Sequence, residues 1–131
     1  MHDMKLRISV FFSSLLVCVV ITAMGMRVGF AEEVPSVPVK GMPTLVDLGA
    51  TTCVPCKMME PVLEKVKKKY AGKAAVIFID VRKHYEQVKR FGIRAIPTQV
   101  FYDRDGREIF RHVGFYSEKD IDAQFKKMGI Q

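Results

Sequence analysis

From Thr44 onward the apolar residues fall into two rhythms. TLVDLGA (44–50) is a short, nearly continuous apolar run, the pattern of a strand buried on both faces, with Asp47 as a charged anomaly at its centre. The next stretch, TTCVPCKMMEPVLEKVKKKY, changes to helical spacing: Met59, Val62, Leu63, Val66 and Tyr70 recur every three or four positions, and lysines fill the other side. This predicts an amphipathic helix that starts near Cys53 and is closed by Ala71-Gly72. AAVIFID (74–80) predicts a second buried strand, and the order strand–helix–strand implies parallel pairing with a right-handed crossover. HYEQVKRFGI predicts a short helix ending at Gly92. Pro97 then opens the strand TQVFYD, which turns at Asp103-Arg104-Asp105-Gly106 into an antiparallel partner, REIFRHVG. Ser117 followed by Asp120 marks a helix start, and Ile121, Phe125 and Met128 form that helix's apolar stripe. Together these describe one α/β domain over residues 44–131, a mixed central sheet flanked by helices, without internal repeats.

The chain ahead of this domain has a different character. Residues 32–43, EEVPSVPVKGMP, hold three prolines and one glycine and predict an extended linker, with Val34 to Val39 suited to lie against a sheet edge. Residues 1–31 read as a signal peptide or a membrane anchor. Lys5 and Arg7 precede the apolar run ISVFFSSLLVCVVITAMGM, and the small residues Gly29 and Ala31 suit cleavage near Glu32. Left uncleaved, the uncharged stretch 8–26 is long enough to span a bilayer. Lipid attachment at Cys18 is a third reading, weakened by bulky Val17 in front of it. With the basic end inside, each reading places the domain in the periplasm or another extracytoplasmic space.

Charge narrows the partners only a little. Three of the 21 Lys and Arg and one of the 14 Asp and Glu precede residue 32, so the net charge falls from +7 for the whole chain to +5 for the remainder. Lys65, Lys67, Lys68, Lys69 and Lys73 follow the helical period as a solvated face, and no aromatics interleave them as a nucleic-acid stacking groove would require. The charge pattern therefore favours protein partners over nucleic acid.

Cys53-Val54-Pro55-Cys56 is the motif with chemistry in it. Two thiols separated by two residues at a helix start can close a disulfide within one turn, and the unpaired N–H groups of that turn favour the thiolate of Cys53. Cys53 is then the attacking sulfur, and Cys56, one turn deeper, resolves the mixed disulfide. Other uses of a CxxC pair fit less well. A zinc site lacks a third cysteine after residue 32, and His84 and His112 are too far apart for the usual paired spacing. A purely structural disulfide across so short a loop removes little chain entropy. Haem attachment needs a histidine after Cys56, where Lys57 stands. No cofactor or metal is expected.

Over residues 44 to 128 the sequence resembles the thioredoxin family. The resemblance rests on Asp47 six residues before the first cysteine in LVDLGATTC, on CVPCK itself, on Pro61 five residues after Cys56, on FGIRAIPT with Pro97, and on Gly114. It implies a thioredoxin-like fold whose N-terminal strand and helix are reduced or absent. It also implies that Pro97 is a cis proline facing the thiols, with the Ile96 backbone offered to an extended substrate; the plain alternative is a turn proline. Val54 and Pro55, between the cysteines, complete the implied substrate-binding set. Asp47 resembles the family's buried carboxylate beneath the second cysteine, where burial raises its pKa and fits it to take the Cys56 proton; the alternative is a solvated position at a sheet edge.

Two departures bear on substrate choice. The family's lysine near this aspartate is missing, since the matching stretch is Val76-Ile77-Phe78-Ile79. The usual aromatics around the motif are missing too: Gly49 takes one tryptophan position, Thr52 precedes Cys53, Val54 replaces glycine, and the chain has no Trp. The activity the resemblance implies is protein thiol–disulfide exchange. Pro55 and Ile96 resemble the reducing branch, so the expectation is a monomeric reductant of cysteine-containing exported proteins, apocytochromes among them, recharged by a membrane electron donor. A disulfide-forming oxidase or isomerase, and a non-enzymatic peptide-binding module, are the alternatives.

Overall fold

The computed structural model describes residues 34–131; the expectations for the first 31 residues, signal peptide, anchor or lipid site, lie outside the described residues. Four strands and three helices alternate as β1 (Thr44–Gly49), α1 (Val54–Lys69), β2 (Ala75–Asp80), α2 (Glu86–Arg90), β3 (Thr98–Tyr102), β4 (Glu108–Val113) and α3 (Glu118–Lys127). They build one mixed sheet of order β2-β1-β3-β4. β1 pairs parallel with β2 and antiparallel with β3, and β3 pairs antiparallel with β4. Each element falls within a few residues of its predicted place, because burial period and turn residues are local signals.

Position in the sheet corrects one expectation. β1 lies between two partners and every one of its residues is buried, as its apolar run implies. β2, which reads as equally buried, is an edge strand: only Ile79 and Asp80 are buried, and Phe78 is 41 % exposed. An apolar run records affinity for the core but not which strand ends up in the middle.

The core divides into two layers, one on each side of the sheet. On one side Leu45 and Phe101 pack against Met59, Leu63 and Val66 of α1 and Ile121 and Phe125 of α3. Phe101 meets the rings of Phe110, Tyr116 and Phe125 at centroid distances of 5.7, 6.3 and 5.5 Å, within the range where tilted aromatic pairs attract. Asp122 of α3 accepts hydrogen bonds from Lys69 and from the Tyr70 hydroxyl, the latter at 2.9 Å, which ties the end of α1 to α3. The α3 start is capped as predicted, with the Asp120 N–H donating to Ser117 Oγ.

On the other side Val46, Leu48, Ile79 and Val100 pack with Phe91 and Ile93 around α2, and here residues 34–43 depart from the linker reading. Val37 is only 3 % exposed and belongs to this layer, while its carbonyl accepts a 2.7 Å hydrogen bond from Arg90 Nη2. Val39 N–H donates to Thr44 Oγ1 at 3.1 Å. The segment carries no strand or helix of its own, yet it is docked, so the compact unit begins at Val34 and not at Thr44. Proline-rich composition shows only that a segment will not continue a ladder, whereas one buried valine is enough to hold it in place.

Truncation of Phe101 to Ala empties the centre of the first layer and should cost about 3–5 kcal/mol. The exposed Phe115, truncated in the same way, should cost under about 0.5 kcal/mol. Urea unfolding followed by circular dichroism measures both, and equal losses would contradict this placement of the core.

Candidate active site

β1 delivers the chain to the first cysteine through only three residues, Ala50 to Thr52. Cys53 is the N-cap of α1 with extended backbone angles, and its N–H donates to the Ala50 carbonyl at 3.1 Å. Pro55 occupies the first turn, where its missing N–H costs nothing. The connection is clamped from β2. Asp80 Oδ2 accepts from Thr51 N–H at 3.3 Å and Thr51 Oγ1 at 3.2 Å, while Oδ1 accepts from the N–H groups of Arg82 and Lys83. Burial works against the charge on Asp80, but these donors outweigh it and hold its pKa below the ordinary carboxylate value. One carboxylate thus pins the loops after β1 and β2 together.

The two thiols are unbonded and unequal. Cys53 is half-buried at the surface, and Cys56, one turn on, is 4 % exposed. Burial pushes the Cys56 thiol up to about 12, and its hydrogen bond to Cys53 and the nearby charge of Asp47 act in the same direction. Val54 between them is 71 % exposed and Pro55 is exposed beside it.

Asp47 is fully buried, so it is not a solvated edge residue. Burial raises its pKa from 3.8 to about 6, moderated by a 2.7 Å hydrogen bond from Gln99 Nε2. Just ahead of β3, which pairs with β1, the Ile96–Pro97 bond is cis. Pro97 is buried and Ile96 half-buried, held between a Thr98 Oγ1 bond to the Ala95 carbonyl at 2.7 Å and a Gly114 N–H bond to the Pro97 carbonyl at 2.8 Å. Gly114 makes that bond with φ near +100°, a conformation that disfavours any side chain.

Two further residues surround Cys56 and Asp47, Phe78 at the thiol and Gln99 at the carboxylate. Phe78 reaches over from β2 into the space above Gly49. A Cβ placed on Gly49 would lie 3.0 Å from the Phe78 ring and 3.3 Å from both Cβ and Sγ of Cys56. The aromatic wall missing from the motif itself is therefore supplied in part by the adjacent strand. Phe78, Leu63, Ala50 and Cys56 border a cavity of about 370 Å³, with Lys57 and Glu60 also lining it. Gln99 is the second. Its only sequence signal is an amide near the start of the core strand TQVFY. Among the described residues, no cluster of His, Cys, Asp and Glu could hold a metal.

The raised pKa of Asp47 has a consequence for stability. The folded state binds this proton more tightly than the unfolded chain does, so the ionised carboxylate opposes folding. The group's favourable contribution is complete below pH 4 and is lost as pH rises from about 4 to about 6. Two units correspond to roughly 3 kcal/mol. Asp47→Asn should therefore stabilise the protein at pH 7 by about 1–3 kcal/mol and flatten the stability profile between pH 4 and 6, read from urea midpoints across pH. A variant less stable at pH 7 than the parent would contradict this account of the buried carboxylate.

Comparison with known proteins agrees with this geometry. The family model described as Thioredoxin matches residues 26–127. A thioredoxin from Alicyclobacillus acidocaldarius is 37 % identical over 82 residues, 63 % of this chain and 77 % of that protein. A thioredoxin from Staphylococcus saprophyticus is 36 % identical over 83 residues, 63 % of this chain and 79 % of that one. The crystal structure of the germline-specific thioredoxin Deadhead from Drosophila melanogaster superposes with a TM-score of 0.61 at 34 % identity, covering 67 % of this chain and 82 % of the other. With its paired cysteines at the start of α1 and a cis proline at the entry to β3, the chain belongs to the thioredoxin family and is a thioredoxin-type oxidoreductase.

Proposed function

We propose that this chain reduces disulfide bonds in other proteins outside the cytoplasm, with Cys53 attacking and Cys56 resolving. The observation that carries the reading is the inequality of the two sulfurs: one reaches the surface at a helix N-terminus, and the other is enclosed behind it and holds its proton. Attack requires an accessible thiolate, whereas resolution requires a second thiol that meets no substrate until the first has reacted.

In this reading an extended substrate segment lies across Ile96 and Pro97, with Val54 and Pro55 on its other side. Cys53 displaces one substrate sulfur and forms a mixed disulfide. Cys56 then attacks Cys53, giving its proton to Asp47 and releasing the second substrate sulfur as a thiol. The helix turn holds the two sulfurs close, so the second step is effectively intramolecular. The buried, proton-hungry Asp47 is suited to that transfer because its pKa lies near the working pH.

Location and partners extend the proposal. The basic, apolar start of the chain supports export. A dithiol in an oxidising compartment works as a reductant only if it is recharged, so a membrane-borne dithiol donor is the partner, and cysteine-containing exported proteins are the substrates.

Cys56→Ser should leave substrates trapped on Cys53 as adducts that dithiothreitol removes, while Cys53→Ser should trap none. Cells expressing each full-length variant would be acid-quenched and alkylated, then run on nonreducing gels. Equal adduct patterns from the two variants would reverse or abolish the assigned roles. The trapped proteins, if all cytoplasmic, would refute the exported location.

A further inference from the structure

Four residues stand at one level across the sheet: Phe78 on β2, Asp47 on β1, Gln99 on β3 and His112 on β4. The middle two are polar and completely buried, and they are joined by the 2.7 Å bond from Gln99 Nε2 to Asp47 Oδ1. The remaining oxygens of the pair, Asp47 Oδ2 and Gln99 Oε1, are buried without hydrogen-bond partners. An unpaired buried acceptor next to a reactive thiol works against stability. A carboxylate with one oxygen held and the other open is set up to receive a proton.

We propose that Gln99 is a positioning residue for the resolving step: its amide holds Asp47 through Oδ1 and leaves Oδ2 as the acceptor for the Cys56 proton. This rests on the reductase reading above and adds to it a residue that does not touch the reacting sulfurs. The Cys56 S–H proton passes to Asp47 Oδ2, the Cys56 sulfur bonds to Cys53 Sγ, and the bond from Cys53 to the substrate sulfur breaks. The leaving sulfur departs with the electron pair and takes up a proton from water as Asp47 later returns its own to solvent. The substrate is reduced by two electrons and the protein is oxidised to the Cys53–Cys56 disulfide, which a dithiol donor must reduce again.

Where a lysine beside the carboxylate would stabilise its charge strongly, β2 offers the uncharged side of Val76 to Ile79. An amide donor favours the ionised form more weakly than a cation does, and that leaves the carboxylate ready to alternate between its two states. The groups facing Asp47 are consistent with this. From α1 comes the Cys56 thiol with Cys53 beyond it, and from β2 comes the Phe78 ring. β3 contributes Gln99, with His112 next in the row on β4. α3 reaches this side of the sheet through apolar Ile121 and Phe125.

Gln99→Met keeps the length of the side chain and removes the donor, and Gln99→Leu is a second variant should the first not fold. In the full-length reduced protein, the Asp47 carboxyl is titrated by carbon-13 NMR, and single-turnover reduction of insulin disulfides is followed across pH. Loss of the donor should move both the carboxyl titration and the acid limb of the rate profile upward by about one pH unit, making the reaction roughly tenfold slower on that limb. The same substitution made on an Asp47→Asn background should move nothing further. A merely structural Gln99 would lower the unfolding midpoint in both backgrounds and leave the limb where it was. An unmoved acid limb in an active Gln99 variant overturns the proposal alone. A parent chain that reduces no disulfide overturns the reductase reading, and the proposal with it.

Discussion

The double pairing of β1 is the constraint from which the site follows. With β2 on one side and β3 on the other, its residues are buried along the whole length, and its register is set twice. A one-residue slip against either neighbour would turn Leu45 and Asp47 to the opposite face and break both core layers. That rigidity allows a carboxylate to be held inside a sheet at a level chosen to within one residue, beneath the first turn of α1. Only three residues separate the end of β1 from Cys53, and Asp80 clamps one of them. The geometry between Asp47 and the thiols is thus inherited from the ladder and not left to a loop.

Helix geometry does the rest of the work on the two sulfurs. The first residue of the pair caps the helix at the surface, and the second, three positions on, has turned toward the sheet. Burial then sets Cys56 apart, because the protein interior penalises its charged form. Cys56 shares its enclosure with Asp47 and with the Phe78 ring that leans over Gly49. A Cβ at position 49 would come within 3.0 Å of that ring and 3.3 Å of Cys56, so a side chain there would require these neighbours to give way by a few tenths of an ångström. An aromatic side chain from the neighbouring strand and a missing one in the motif are two halves of a single packing arrangement.

Much of this was legible in the chain itself. The run TLVDLGA, the three-and-four spacing from Met59 to Tyr70, and the Ser117–Asp120 cap each encode a local structure, because burial period and capping depend on near neighbours. The spacing of Cys53 and Cys56 at the start of a helical pattern pointed to thiol chemistry before any coordinates. The charge of Asp47 stood out as an anomaly inside an apolar strand, and the resemblance to the thioredoxin family implied its role as a site residue.

What the tertiary structure decided were the relations between segments distant in sequence. β2 became the edge and β1 the centre, although both read as buried runs, because strand order depends on crossovers and not on composition. Residues 34–43, which read as an extended linker with Val34 to Val39 suited to a sheet edge, docked through Val37 against α2 and the sheet. Gln99 met Asp47 across 52 positions of chain, and Phe78 met Gly49 and Cys56 from another strand. Such contacts are set by register and by which side chains share a face, so they appear only once the sheet has closed. The sequence by itself determined the elements and the pair of thiols. The surroundings that make those thiols different depended on long-range packing, which no local pattern records.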